Sequence, residues 1–259
     1  MGVVNVTPDS FSDGGRFIDP GAALAHARRL IAEGADILDI GGESTRPGAE
    51  PVGEAEEIAR VIPLIEAVRA ESPIAISIDT MKPAIARAAV AAGATMWNDV
   101  TALRWSPDSL STAADLGCEV VLMHMLGEPR TMQNDPRYED VAREVSDFLM
   151  ERANAAIAAG LAREKIWLDP GIGFGKTVEH NLTLLRRLDE LVALGFPVLL
   201  GASRKRFIAA LDPAAGDNRL AGSLACALHG ASAGVAAVRV HDVRETVQTL
   251  TVWSAIGDK

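Results

Sequence analysis

The chain has 259 residues, of which 48% are hydrophobic and only 4% aromatic, and its formal net charge is -10. This length supports one large core, and an acidic balance without basic runs argues against a nucleic-acid-binding protein. Cys118 and Cys226 share no spacing typical of a disulfide framework or a zinc site, and no segment reaches the roughly 20 apolar residues of a membrane span. With no signal sequence recognisable at the N-terminus, we expect a cytoplasmic protein.

Short apolar segments alternate with Ala-rich amphipathic segments along the whole chain, which predicts parallel strands joined by helices. Strands are predicted at 2–6, 35–40, 74–78, 95–98, 119–123, 165–168, 197–200 and 236–240. Helices are predicted at 20–33, 52–70, 83–92, 108–116, 138–159, 178–194, 219–233 and 242–255. This regular alternation, without a low-complexity linker, predicts an α/β fold. We expect one domain over residues 1–259, a single (β/α)8 TIM barrel with eight parallel strands and outer helices.

Polar residues follow or close most of the predicted strands. Asn5 opens the loop NVTPDSFSDG, and later strands lead into Asp39, Asp79, Asn98, Asp169 and Arg239. Because the carboxyl ends of parallel strands meet at one end of a barrel, these residues predict an active site there.

The amide and carboxylate groups of Asp79, Asn98 and Asp169 could accept hydrogen bonds from the edge of a flat heterocycle. A magnesium site, or N-caps of the following helices, are alternative roles for these acidic residues.

The loop DIGGESTRPGA, residues 39–49, brings Thr45 and Arg46 to the predicted mouth of the barrel. A guanidinium there suits a planar anion, although Arg46 could instead pair with Glu43 or Glu50 on the surface.

The run DPGIGFGKT, residues 169–177, has Pro170 where a Walker loop needs glycine, and its glycine spacing does not match a dinucleotide fingerprint. It is interpreted as a glycine-rich active-site loop in which Phe174 packs on a flat ligand. The alternative is a tight turn with Phe174 in the core.

Positive charge concentrates at the last two predicted strands. Ser203, Arg204 and Lys205 follow the seventh strand, where barrel enzymes often hold an anion. Arg239 and His241 alternate by two beside Asn5 of the first strand, which suggests a diphosphate clamp. His241 could equally be an ordinary polar residue.

The ordered set NVTPDSFSDGG, DIGGESTRPG, SIDT, NDV, LMHM, DPGIGFGK, SRK and RVHDV resembles the dihydropteroate synthase family over nearly the whole chain. The resemblance implies a TIM barrel, usually a homodimer, that acts in folate biosynthesis. Its reaction joins 6-hydroxymethyl-7,8-dihydropterin diphosphate to para-aminobenzoate with Mg²⁺, giving 7,8-dihydropteroate and diphosphate. Sulfonamides, which resemble para-aminobenzoate, are expected to compete for its site.

The resemblance also implies a role for each matching residue. The pterin would be bound by Asp79, Asn98, Met123, Asp169, Lys205 and Arg239. The diphosphate would be bound by Asn5, Arg46, Arg239 and His241, with Asn5 also a ligand of Mg²⁺. The para-aminobenzoate site would contain Thr45, Arg46, Pro47, Phe174 and Ser203. The catalytic residues would be Asp79, Asp169, Lys205, Arg239 and His241.

We expect an ordered, dissociative displacement in which the first two loops, including Asp9, close over the departing diphosphate. Family members generally carry residues ahead of the first strand, whereas Met1 stands almost inside it, so we expect a less covered barrel bottom and lower stability.

Three alternative functions stay open. A pterin-dependent methyltransferase barrel would share the pterin-binding residues but gives no reason for STRPG, SRK and RVH. A non-catalytic pterin-binding paralogue would keep the same residues, because binding and catalysis use largely one set. A phosphate-binding barrel isomerase is a more distant alternative, since it would not need the three pterin-edge residues.

Overall fold

The computed structural model describes residues 1–7, 20–44, 50–127 and 131–257, in which parallel strands alternate with helices. The strands are β1 (Gly2–Asn5), β2 (Ile37–Gly41), β3 (Ala75–Asp79), β4 (Met96–Asp99), β5 (Glu119–Met123), β6 (Ile166–Asp169), β7 (Leu199–Leu200) and β8 (Ala237–Val238). The helices are α1 (Pro20–Ala32), α2 (Glu54–Glu71), α3 (Pro83–Ala91), α4 (Ser109–Leu116), α5 (Val141–Ala158), α6 (Val178–Arg186), α7 (Leu188–Val192), α8 (Arg206–Leu211), α9 (Leu220–Ala233) and α10 (Val243–Gly257).

The eight strands close into a barrel. Strands β1 to β6 form one parallel sheet in chain order, and β7 pairs with β8, also in parallel. Parallel bridges between Leu168 and Val198 and between Gly2 and Val240 join these two sheets. The backbone N–H of Val3 donates to the carbonyl of Val240 at 3.0 Å, which ties the last strand to the first. The predicted eight-stranded TIM barrel is therefore confirmed.

Alternation along each strand separates the barrel interior from the layer under the helices. In β4, Trp97 packs in the large core between the strands and the helices, while Met96 belongs to a second cluster with Val121 and Leu199. Asn98 lies two residues beyond Met96 and shares its face. The interior is therefore apolar at its lower level and polar near the carboxyl ends of the strands.

Local signals begin two of the helices. Helix α3 begins at Pro83, because a proline at the first helical position loses no intrahelical hydrogen bond. Helix α5 follows Asp140, whose carboxylate accepts hydrogen bonds from the N–H groups of Ala142 and Arg143. Among the described residues, no helix is both long enough and apolar enough to cross a membrane.

Three element predictions were wrong in detail. The helix predicted over 178–194 is two helices, because Arg187 leaves helical geometry at φ -110° and ψ 27° while its guanidinium binds Asp140 and Glu190. Helix α8 lies in a stretch where no helix was predicted. Strand β2 begins at Ile37 and ends at Gly41, instead of spanning 35–40, so Asp39 lies at its middle.

Candidate active site

A cavity of about 350 Å³, including its open mouth, lies at the carboxyl ends of the strands. Seven residues predicted from the sequence line it: Asp79, Asn98, Met123, Asp169, Phe174, Lys205 and Arg239. They come from six different strands or the loops that follow them, and the barrel brings them to one place.

The pairing register of strands β3 to β6 sets how far along the barrel axis four cavity residues lie: Asp79, Asn98, Met123 and Asp169. Asp79 is the register partner of Asn98, and Met123 is the partner of Asp169. Asp79, Met123 and Asp169 are each the last residue of their strand. Their side chains therefore point into the barrel at its catalytic end, as the sequence predicted.

Burial makes the two aspartates of the cavity reluctant to ionise. Burial raises the pKa of Asp79 to about 7, with Asp39 adding to the rise and Arg239 opposing it. Burial also raises the pKa of Asp169, against the opposing effects of the Gly171 N–H group and Lys205. The Asp79 carboxyl group can therefore exchange a proton near neutral pH when a ligand changes its surroundings.

Arg239 binds two carboxylates inside the barrel. Its Nε donates to Asp39 Oδ2 at 2.6 Å, and its Nη2 donates to Asp79 Oδ2 at 2.7 Å. Burial by itself would lower the pKa of Arg239, but Asp39 and Asp79 outweigh it and hold that pKa above its ordinary value. Arg239 is thus a permanent cation at the base of the cavity.

Lys205 and Phe174 meet across the cavity. The Nζ atom of Lys205 lies 4.2 Å from the centroid of the Phe174 ring. Burial, with help from Arg239, lowers the pKa of Lys205 to about 8, while Asp169 and Asp79 oppose the shift.

The Phe174 ring is partly buried against a methionine-rich cluster that includes Met81, Met123 and Met125, and it stays apart from the main core. An apolar face for a flat ligand is therefore built from Phe174 and Met123.

The loop that carries Phe174 packs tightly against the end of β5. Gly171 has φ +66°, and a Cβ atom there would lie 1.9 Å from the His124 carbonyl oxygen. The buried Lys176 side chain joins the two segments: its Nζ lies 2.9 Å from His124 Nδ1 and 3.0 Å from the Phe174 carbonyl oxygen. Tyr138 donates from its hydroxyl to the Gly175 carbonyl at 2.9 Å. Several hydrogen bonds therefore fix the loop that carries the Phe174 ring.

Ser203 and His241 form a pair outside the lining of this cavity, and Ser203 lines a second, smaller pocket that also contacts Arg239. Ser203 Oγ lies 3.1 Å from His241 Nδ1 and accepts a hydrogen bond from the His241 N–H at 3.2 Å. Burial, together with Arg239 and Arg204, lowers the pKa of His241 to about 4. The imidazole is therefore neutral at pH 7, and it would gain a proton only beside an added negative charge.

The remaining predicted residues are only partly described. Asn5 is the last residue of β1 and is half-buried. Thr45, Arg46 and Pro47, together with Asp9 of the first loop, lie outside the described residues.

Described residues on both sides of positions 45–49 meet at Lys82. The Lys82 Nζ donates to Glu43 Oε2 at 2.5 Å, to Glu57 Oε2 at 2.6 Å and to the Val52 carbonyl at 2.6 Å. Burial would lower the pKa of Lys82, but the bonds to Glu43 and Glu57 outweigh it and raise that pKa.

Comparison with known proteins gives the family. The family model described as "Pterin binding enzyme" matches residues 1–241. The dihydropteroate synthase of Escherichia coli K12 is 48% identical over 98% of this chain and 90% of its own length. This chain belongs to the dihydropteroate synthase family.

Solved structures of this family have the same fold as the chain. The dihydropteroate synthase of Xanthomonas albilineans with 4-aminobenzoic acid superposes with a TM-score of 0.94 at 52% identity, covering 100% of this chain and 93% of that one. The complex of the same organism's enzyme with 7,8-dihydropteroate gives a TM-score of 0.90 at 50% identity, with coverage of 100% and 93%. The chain is thus an enzyme, a transferase of the dihydropteroate synthase type.

Asp39 was predicted only as a polar residue at the active-site end of the barrel, without a role, and three further buried residues around the dihydropteroate synthase cavity were not predicted from the sequence: Lys82, His124 and Lys176. Each lies within a motif used for the resemblance or next to one, but its partners come from distant parts of the chain. Asp39 and Arg239, for example, are 200 positions apart. The available signal was a charged or polar residue inside an otherwise apolar run, as in DILDI and LMHM.

Proposed function

We propose that the protein condenses 6-hydroxymethyl-7,8-dihydropterin diphosphate with para-aminobenzoate to give 7,8-dihydropteroate and diphosphate. One observation carries the proposal: Asp79, Asn98 and Asp169 converge with Met123 and Lys205 on one cavity. Three hydrogen-bond acceptors beside an apolar face fit a flat heterocycle with several N–H donors. The Xanthomonas albilineans complexes with 4-aminobenzoic acid and with 7,8-dihydropteroate support para-aminobenzoate as a substrate and 7,8-dihydropteroate as the product.

Diphosphate binding is assigned to Arg239, His241 and Arg46, with Asn5 as a ligand of Mg²⁺. The described residues contain no group of three or more His, Cys, Asp or Glu side chains that could hold a metal. A single side-chain oxygen from Asn5 fits Mg²⁺, because this ion commonly takes one or two protein ligands and completes its shell with phosphate oxygens and water. When bound, Mg²⁺ would neutralise part of the charge on the leaving diphosphate.

The para-aminobenzoate site is assigned to Phe174 and Ser203 with the loop residues Thr45, Arg46 and Pro47. Phe174 lines the cavity beside Lys205, and Ser203 lies next to His241. Sulfonamides are expected to compete with para-aminobenzoate there.

The chemical step needs no covalent attachment to the protein. The bond between the pterin methylene carbon and the diphosphate oxygen breaks, and its electron pair leaves with the diphosphate. The ring nitrogens share the resulting positive charge, and Asp79 and Asp169 stabilise it. The amine of para-aminobenzoate then forms the carbon–nitrogen bond and loses one proton. His241, neutral before binding, can take up this proton and then donate a hydrogen bond to the departing diphosphate.

A coupled assay tests this proposal. Purified protein is incubated with Mg²⁺ and both substrates, and diphosphate and dihydropteroate are followed by chromatography. Product that requires both substrates is expected. Diphosphate release without dihydropteroate would support only the assigned pterin and diphosphate chemistry. Pterin binding without diphosphate release or dihydropteroate formation would indicate the non-catalytic paralogue.

A pair of variants tests the assigned sites. Asp169→Asn should weaken pterin binding far more than Ser203→Ala, because Asp169 lines the cavity while the Ser203 hydroxyl is bonded to His241. Calorimetry with a pterin measures both affinities. Equal losses in the two variants would contradict the assignment.

A homodimer is also part of the proposal, together with a cytoplasmic location. The carboxyl-terminal half of α10 exposes Val252, Trp253 and Ile256, the last to 74%. Ile256 lies one turn beyond Val252 and Trp253, and exposed apolar faces of this kind often bind a second subunit. Light scattering should give twice the monomer mass, and Trp253→Glu should reduce it.

A further inference from the structure

Asp39 lies beneath the cavity and contacts two residues of its lining. It occupies the middle of β2, and its side chain is fully buried inside the barrel. One oxygen accepts a hydrogen bond from Arg239 Nε at 2.6 Å, and both oxygens lie 3.4 Å from Asn98 Nδ2. Asp39 therefore links β2 with β4 on one side of the barrel and with β8 on the other.

The contact with Asn98 fixes which end of its amide faces the cavity. A carboxylate can only accept hydrogen bonds, so it attracts the NH₂ group of Asn98 and repels the carbonyl oxygen. Rotating the amide by half a turn would bring Asn98 Oδ1 against the buried negative charge of Asp39. The acceptor oxygen of Asn98 is consequently left on the side of the cavity, next to Asp79 and Asp169.

The contact with Arg239 gives this guanidinium a carboxylate partner, Asp39, that a bound ligand does not have to displace. Arg239 is held by Asp39 from inside the barrel and by Asp79 at the cavity. A ligand whose N–H groups bind the Asp79 carboxylate competes for one of these partners only. Asp39 then keeps the guanidinium in place, since a buried arginine without a carboxylate would be strongly destabilised.

We propose that Asp39 is a positioning residue that gives the pocket its specificity. It holds the Asn98 amide in one orientation, so that the cavity accepts an amino group at the pterin edge and rejects a carbonyl oxygen there. This inference rests on the proposed function, because it takes a pterin as the ligand. Without the charge, as in Asp39→Asn, two neutral amides face each other and can rotate together. Asn98 could then present its NH₂ group to the cavity and bind a carbonyl.

The experiment compares two ligands that differ at that one group. Calorimetry measures the affinities of 6-hydroxymethylpterin and of its lumazine analogue, in which a carbonyl oxygen replaces the 2-amino group. The wild-type protein should strongly prefer the pterin. Asp39→Asn should reduce the ratio of the two affinities by about tenfold or more, which corresponds to one hydrogen bond to a well-placed acceptor. Asp36→Asn, an exposed position just before β2, is the matched control and should keep the wild-type ratio.

The ratio separates positioning from a general loss of structure, which would weaken both ligands together. A ratio in Asp39→Asn within twofold of the wild-type ratio would overturn the inference alone. Wild-type protein that binds neither ligand would overturn the proposed function and this inference with it.

A second measurement needs no change at Asp39. In protein labelled with ¹⁵N-asparagine, the side-chain NH₂ signal of Asn98 is assigned by its loss in Asn98→Leu. Its protons should exchange slowly with water and remain protected when 6-hydroxymethylpterin is added, because they face Asp39. Rapid exchange in the free protein, or a change of partner when the pterin binds, would overturn the inference even if Asp39→Asn fails to fold.

Discussion

Lys82 and Lys176 are both buried at the catalytic end of the barrel, but their surroundings differ. Lys82, which follows β3, binds the carboxylates of Glu43 and Glu57. Lys176, in the loop after β6, contacts a neutral His124 ring and backbone carbonyls, and it forms no ion pair with any described residue. The pKa of Lys82 is raised, whereas burial lowers that of Lys176 to about 7.

The contrast shows that partners, and not depth alone, decide the charge of a buried lysine. Lys82 and Lys176 are exposed to only 6% and 3%. With carboxylates beside it, Lys82 stays protonated and joins the two ends of a loop. For Lys176, Asp169 acts from a distance to favour the charged form, and the charge of Lys205 disfavours that form. Lys176 can therefore act as a neutral hydrogen-bonding group.

Removing Lys82 should have the largest effect. Lys82→Met leaves Glu43 and Glu57 buried without their cation, so the free energy of unfolding should fall by about 3–5 kcal/mol at pH 7. Urea denaturation measures the loss. A loss below about 1 kcal/mol would mean that the two carboxylates find other partners, and the contrast with Lys176 would fail.

Removing Lys176 should change how stability depends on pH. The unfolded lysine binds a proton up to its ordinary pKa, whereas the folded one loses it above about pH 7. Because the unfolded state then binds more protons, the wild-type protein should gain stability over Lys176→Met as the pH rises from 7 to 9, by about 1 kcal/mol per pH unit.

Urea denaturation at several pH values measures that gain. Lys165→Met, at a partly exposed site just before β6, is the matched control for removing one lysine. A stability difference between wild-type protein and Lys176→Met that is the same at every pH would show that Lys176 stays charged in the fold.

The smallest effect is expected from Glu57→Gln. Burial raises the pKa of Glu57 despite its bond to Lys82, and its Oε1 atom has no hydrogen-bond partner among the residues that the structure describes. Replacing this carboxylate with an amide leaves Lys82 paired with Glu43 and removes a costly buried charge. Stability should change by about 1 kcal/mol or less. Glu54→Gln, exposed in the first turn of the same helix, is the control, and a loss near that of Lys82→Met would contradict the prediction.

Much of the fold and of the cavity could be predicted from the sequence because both follow from local patterns. Eight apolar segments alternating with helices indicated the barrel, and residues such as Asp79 and Asp169 could be placed at one end because parallel strands all end there. The breaks in regularity could not be predicted. The end of α6 at Arg187 accompanies contacts with Asp140, which is 47 positions away in the chain.

The sequence by itself determined the alternation of elements, the order of the family motifs and the set of polar residues that meet at the mouth of the barrel. Only the tertiary structure decided which of those residues pair. Arg239 binds Asp39 and Asp79 inside the barrel, His241 is neutral beside Ser203, and the two buried lysines differ in charge. The physical reason is that a side chain's charge and orientation depend on burial and on neighbours from other strands, and neither has a periodicity along the chain.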